Sequence, residues 1–241
     1  MAVNALAGRR LSEHRFFAFF AALFPLLILL GFGRTYYLKG FFPSPPVPSP
    51  LVHVHGLLMA AWVGLFITQV LLIRSHRVRL HQLLGLSSIL LALTIIPVGA
   101  LTAIDAARHG SAAAPVDIPP LVFMAVPMAD LVVFALLFGA AVWYRKSAAE
   151  HKRLILLTML NFLPPAIARW PLTLVAAAGP LAFFGIPDVI ALVCLIVDSR
   201  RNGKVNKAFL AGTVLLIASH PLRLVIGFSE PWIRLAGWLA A

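Results

Sequence analysis

The chain has 241 residues, 61% of them hydrophobic and only 12% charged, with a mean hydropathy of +0.95. A soluble domain needs a charged skin against water, so this composition excludes one and leaves a membrane-embedded class. The net charge of +12 does not indicate nucleic acid, because the 20 basic residues sit in short clusters between apolar runs rather than on one face.

Charge-poor runs able to cross about 30 Å of hydrocarbon at about 1.5 Å per residue mark the expected spans. The first is Phe16–Gly33. It follows Arg9-Arg10, but no small-x-small cleavage site comes after it, so it reads as a retained span rather than a signal. Pro43 to Pro50 then carries five further prolines and serines in an extended, polyproline-like strap. The next spans are Leu51–Ile73, Gln82–Ile104, Ile118–Tyr144 and Leu154–Ala178. The third and fifth echo one another: His81 opens one and His151 the other after a basic loop, and each carries proline later, Pro97 or Pro164-Pro165. The sixth, Leu181–Val197, is expected to be interrupted by Gly185-Ile186-Pro187-Asp188. It contains the single cysteine, Cys194, which rules out an internal disulfide. The seventh is Ala208–Phe228. The expected fold is therefore all-α, a polytopic transmembrane helical bundle of about seven spans forming one domain over residues 1–241.

Alternate loops divide the cations unevenly. Fourteen lie before the first span and between spans two and three, four and five, and six and seven; only Arg34, Lys39, Arg108 and Arg234 lie on the opposite side. By the positive-inside rule the N-terminus is expected in the cytoplasm and the C-terminus outside, in a bacterial inner membrane. Trp232 and Trp238 near the C-terminus suit an interfacial belt.

Four charges fall inside the expected spans: Asp130, Arg169, Asp188 and Arg223. Each costs about 3 kcal/mol at the bilayer centre unless paired, so equal numbers of opposite sign suggest interhelical pairs in the outer half of the bundle. His55 and His220 belong to the same level, while His81 and His151 lie at the basic side. His55, Trp62 and Gln69 share a stripe at heptad spacing, and His53 faces away from it. Thr158, Asn161, Pro165 and Arg169 make another polar stripe. No phosphate-cradling glycine loop, nucleophile elbow, Cys-x-x-Cys or His-Glu-x-x-His occurs, which argues against soluble-style nucleotide, thiol or zinc-protease chemistry.

The run His53-Val54-His55-Gly56 with Trp62 and Gln69, then Leu80-His81-Gln82-Leu83-Leu84-Gly85, resembles a family of bacterial multi-pass membrane proteins of unknown function. Pro127-Met128-Ala129-Asp130, Glu150-His151-Lys152-Arg153, Ala168-Arg169 and Pro221-Leu222-Arg223 extend the resemblance over most of the chain from Tyr36. It implies no activity, and it favours His55, His81 and His151 over His220 as ligands.

Three readings stay open. One is b-haem and electron transfer, with axial ligands from His55, His220, His81 or His151 and propionates on Arg169 or Arg223. The second is a zinc-dependent hydrolase of lipid-like substrates, with His55, Asp130, Asp188 and His220 around the metal. Its span count resembles that of the ceramidase and adiponectin-receptor group, although that group's last-span His-x-x-x-His is missing. The third is a proton-coupled transporter or a membrane-complex assembly factor with no cofactor, whose partners beyond the lipid bilayer would be other subunits.

Overall fold

The computed structural model describes residues 2–44, 49–110 and 118–241, with side chains from Arg15 onward. The central Pro45-Pro46-Val47-Pro48 of the expected strap and the side chains of Arg9 and Arg10 lie outside the described residues. Among the described residues there is helix and no strand. The α-helices are α1 (Ala2–Phe32), α2 (Pro50–Arg74), α3 (Val78–His109), α4 (Pro120–Phe123), α5 (Ala125–Trp143) and α6 (Ala148–Asn161). They continue with α7 (Pro164–Ile167), α8 (Thr173–Ala178), α9 (Pro180–Asn202), α10 (Lys207–Gly227) and α11 (Glu230–Ala240).

Six stretches are long and apolar enough to cross a bilayer: Arg15–Tyr37, Pro50–Arg74, Val78–His109, Pro120–Trp143, Pro180–Asn202 and Lys207–Gly227. The chain is an integral membrane protein. The expected fifth span is the one that departs from a continuous helix, being divided into α6, α7 and α8. Contacts at its two ends show that it nevertheless runs the length of the bundle. Near its start, Arg153 pairs with Asp198 at the end of α9, and Glu150 accepts from Asn206 before α10. Past α7, the Trp170 indole donates to the Leu27 carbonyl, late in α1. Seven passes follow, six continuous and one broken.

The interruption expected in the sixth span is not there. Pro187 lies inside α9, which continues unbroken to Asn202. One proline removes one backbone donor, and neighbouring helices make that tolerable in a bundle. Pro164-Pro165 removes two donors in succession, and Asn161 and Phe162 end α6 just before them. Similarly, the lone Pro97 leaves α3 whole for all of its 32 residues.

The same contacts define two ends. At the basic end lie the starts of α3, α6 and α10 and the ends of α2, α5 and α9. There Lys152 and Arg201 sit over the rings of Phe17 and Phe16. At the far end Ser49 donates to Asp105, Tyr36 meets His53, and the short helix α11 lies across the mouth of α3 and α4. The Trp232 indole donates to the Leu121 carbonyl, and Arg108 donates to the carbonyls of Leu239 and Ala240.

The core sits where α5, α6 and α10 meet. Phe134, Leu156, Leu157, Leu160 and Leu216 are fully enclosed there, while Leu57, Leu83, Leu90 and Leu93 point outward. Lipid is as apolar as leucine, so close packing rather than escape from water must hold such helices together. Gly212 supplies the close approach of α10: a Cβ there would lie 2.6 Å from Leu157 Cδ1 and 3.1 Å from Leu137 Cδ2.

Candidate functional site

Three polar groups are built into this frame. The first is a buried network joining α5, α6, α9 and α10. Arg223, only 1% exposed, donates to the Asp130 carboxylate through Nη1, to the Ser219 hydroxyl at 2.8 Å and to the Ser219 carbonyl at 3.2 Å. Asn161, at the end of α6, donates to the Asp130 carbonyl at 2.9 Å. One turn before Arg223, His220 stacks on Phe184, which also lies under the Arg223 guanidinium. His220 Nδ1 is 2.8 Å from Asp188 Oδ1 without the alignment of a hydrogen bond, and its Nε2 is buried with no partner. Asn161 Oδ1 and Thr213 Oγ1 are likewise enclosed without partners. By helical rise Asp130, Asp188, His220 and Arg223 lie about 6–15 Å from the far ends of their helices, in the half of the bundle expected from the sequence.

The expected pairing of intramembrane charges is thus met for Asp130 with Arg223, while Asp188 turns to His220 and Arg169 takes neither carboxylate. Of the four zinc candidates, Asp130, Asp188 and His220 share the network, but Asp130 is committed to Arg223 and His55 belongs elsewhere. Among the described residues, no three His, Cys, Asp or Glu side chains converge as a metal-holding group.

The second group lies at the basic end. His81 on α3 and His151 on α6 bring their rings to a centroid separation of 6.4 Å with planes at 82°. These helices hardly touch otherwise. His151 Nδ1 is 2.8 Å from the Ala141 carbonyl, the geometry of an Nδ1–H donating to it, which leaves Nε2 with its lone pair. The Nδ1 of His81 is enclosed with no partner. His151 therefore has one nitrogen beside a carbonyl, and His81 has an enclosed nitrogen without a partner. The Gln69 side-chain oxygen is also buried without a donor.

The third group, at the far end, holds His55 and Arg169. His55 Nδ1 has no partner, and Arg169 donates to the Pro165 carbonyl at 2.6 Å while lying over Phe32. His53 faces the other way, as the helical spacing requires, and meets the Tyr36 hydroxyl at 3.2 Å. Trp62, on the His55 stripe, packs edge-on against Phe134 and Phe138 of α5.

Comparison with protein-family models, with curated proteins and with solved structures returns no match. The reading of the site rests on its geometry.

Sequence reasoning missed Ser219, which holds two sides of the Arg223 guanidinium, and Phe184, which lies under it. Their spacing signals existed: Ser219 is four residues before Arg223, and Phe184 four before Asp188, one helical turn in each case. It also treated Arg153 as a loop cation, whereas that residue is buried in an ion pair with Asp198. Tyr36 carried no pattern at all, because its role depends on a turn that only the folded chain defines.

Proposed function

We propose that the protein is a b-haem-binding electron-transfer protein of a cell membrane, with its basic end in the cytoplasm and with His81 and His151 as the residues that would hold the haem. The observation that carries this is the relation of the two rings. Two imidazoles that would together hold one iron, with metal–nitrogen bonds of about 2 Å, would have their centroids about 6 Å apart. The separation of 6.4 Å between His81 and His151 fits that requirement, with the two ring planes standing edge to face at 82°. The Ala141 carbonyl would fix the orientation and tautomer of His151, as the outer partners of ligating histidines commonly do. Arg77, Arg79 and Arg145 flank the same end and suit carboxylate groups. Haem bound there would supply a one-electron redox centre; the residues of the chain orient it and exclude water from it.

The test is an absorption spectrum of protein purified from haem-replete cells, with pyridine haemochrome for stoichiometry. One b-type haem per chain is expected, lost in His81→Ala and in His151→Ala and kept in His55→Ala. A colourless preparation, or a spectrum that survives both of the first two substitutions, overturns the reading.

A second reading, a proton or solute path, is favoured by the enclosed, partnerless atoms of His220, Asn161 and Thr213 beside the broken fifth pass. Irregular backbone at membrane depth commonly accompanies such paths. It predicts ion-dependent uptake into vesicles that His220→Gln abolishes and His81→Ala leaves intact.

A further inference from the structure

We infer that the far end of the bundle binds an anionic head group, a carboxylate or a phosphate, on Arg169 with His55 beside it. This goes beyond the haem reading and concerns the opposite end of the molecule.

The argument begins with charge. The buried cations Arg153 and Arg223 each hold a carboxylate, whereas Arg169 has no acidic partner among the described residues. Its guanidinium uses Nη1 on the carbonyl of Pro165, one turn back in its own segment, and rests 4.7 Å over the Phe32 ring. A guanidinium carries five N–H donors, so most of the fork remains available, and a planar bidentate anion matches it. A cation held within a membrane-spanning bundle is costly without a counter-ion. A bound anion removes that cost.

A second group points to the same place. His55 lies within electrostatic reach of Arg169, and its Nδ1 is enclosed without a partner. The imidazole can donate to an anion that the guanidinium grips, and among the described residues no protein acceptor bonds its Nδ1.

The walls are held close by two glycines. A Cβ at Gly31 would overlap the Ala166 backbone, so only glycine lets α7 press onto α1 and carry Arg169 to Phe32. At Gly56, next to His55, a Cβ would lie 2.8 Å from the Tyr36 ring, so glycine there admits that ring against α2. The Trp170 indole, donating to the Leu27 carbonyl at 3.1 Å, fastens the segment that follows α7. The site is thus braced from three helices near the membrane surface, where either a lipid head or a soluble anion can arrive.

The experiment uses the full chain in nanodiscs of phosphatidylcholine alone or mixed equally with phosphatidylglycerol, reading the thermal midpoint and the lipids retained in native mass spectra. Wild type is expected to rise in midpoint and to retain one phosphatidylglycerol if the anion is a lipid head. If it is soluble, inorganic phosphate or acetate added to the phosphatidylcholine discs gives the rise instead. Arg169→Gln should abolish the response, Arg169→Lys keep part of it and His55→Gln weaken it. Arg234→Gln, on the exposed face of α11, should leave it whole. No anion response in wild type, or the same response in Arg169→Gln or Arg169→Lys as in wild type, overturns the inference. Should Arg169→Gln not fold, the Lys and His55→Gln variants decide it alone.

Discussion

Asp130 of α5 and Arg223 of α10, 93 positions apart in the chain, form an ion pair buried between helices. Removing one member of such a pair leaves the other buried and uncompensated, which typically costs about 3–5 kcal/mol. Asp130→Asn and Arg223→Met should each destabilise by that order in denaturant titrations of the detergent-solubilised protein. The double variant Asp130→Leu/Arg223→Met should recover part of the loss. Strictly additive losses would show that the two charges act independently.

Topology gives the second prediction. The starts of α3, α6 and α10 share one end, so reporter fusions after Arg79, Arg153 and Lys204 should all report the cytoplasm. A fusion at Ala241 should report the outside, because α6 and α7 complete the crossing that a search for continuous helices misses. A cytoplasmic C-terminus would mean that the broken pass turns back.

Packing between α10 and α6 is the third. Gly212→Ala should destabilise by about 1–3 kcal/mol, since the added methyl meets Leu157 and Leu137. Gly139→Ala in α5 meets nothing within 4 Å and should be neutral or gain about 0.5–1 kcal/mol from helix propensity. Equal effects at the two positions would contradict the close approach of α10.

Much of this architecture is legible from composition and charge. The positions of six passes follow from apolar run length, and the location of Asp130, Asp188 and Arg223 at one level follows from counting turns. Which pass breaks is less accessible. Gly185-Ile186-Pro187 reads as a helix breaker and Pro164-Pro165 only as prolines within a span, whereas the loss of consecutive donors breaks the helix at Pro164-Pro165. The meeting of His81 with His151 is foreshadowed by their parallel positions after basic loops, but two helices starting at one end need not be neighbours. Tertiary packing decides that, as it decides that Arg169 is left without a carboxylate while Asp188 turns to a histidine.

A pH effect at the basic end supplies the fourth prediction. Glu150 lies in the first turn of α6, before the apolar stretch that begins at Leu154, and accepts from the Ser147 hydroxyl and from Asn206. The Ser147 hydroxyl, foremost, favours the ionised form and holds the Glu150 carboxyl below its ordinary value. A depressed folded-state value contributes stability above the unfolded carboxylate range, lost as pH falls through the folded one. Ser147→Ala should therefore be slightly less stable than wild type at neutral pH, and the difference should vanish in acid. A difference that persists unchanged in acid would assign the effect to helix capping instead.

The length of α3 has a consequence of its own. At about 1.5 Å per residue its 32 residues extend about 48 Å, against a hydrocarbon core of about 30 Å. The excess is borne by tilt or by protrusion past the lipid, and its last turns carry Asp105, fastened to Ser49, and Arg108, fastened to α11. Both fastenings sit where a thicker bilayer would pull them toward hydrocarbon and a thinner one would release them to water. Hydrophobic mismatch, acting through the slant of one over-long helix, is thus coupled to the cover that α11 lays across the far mouth of the bundle.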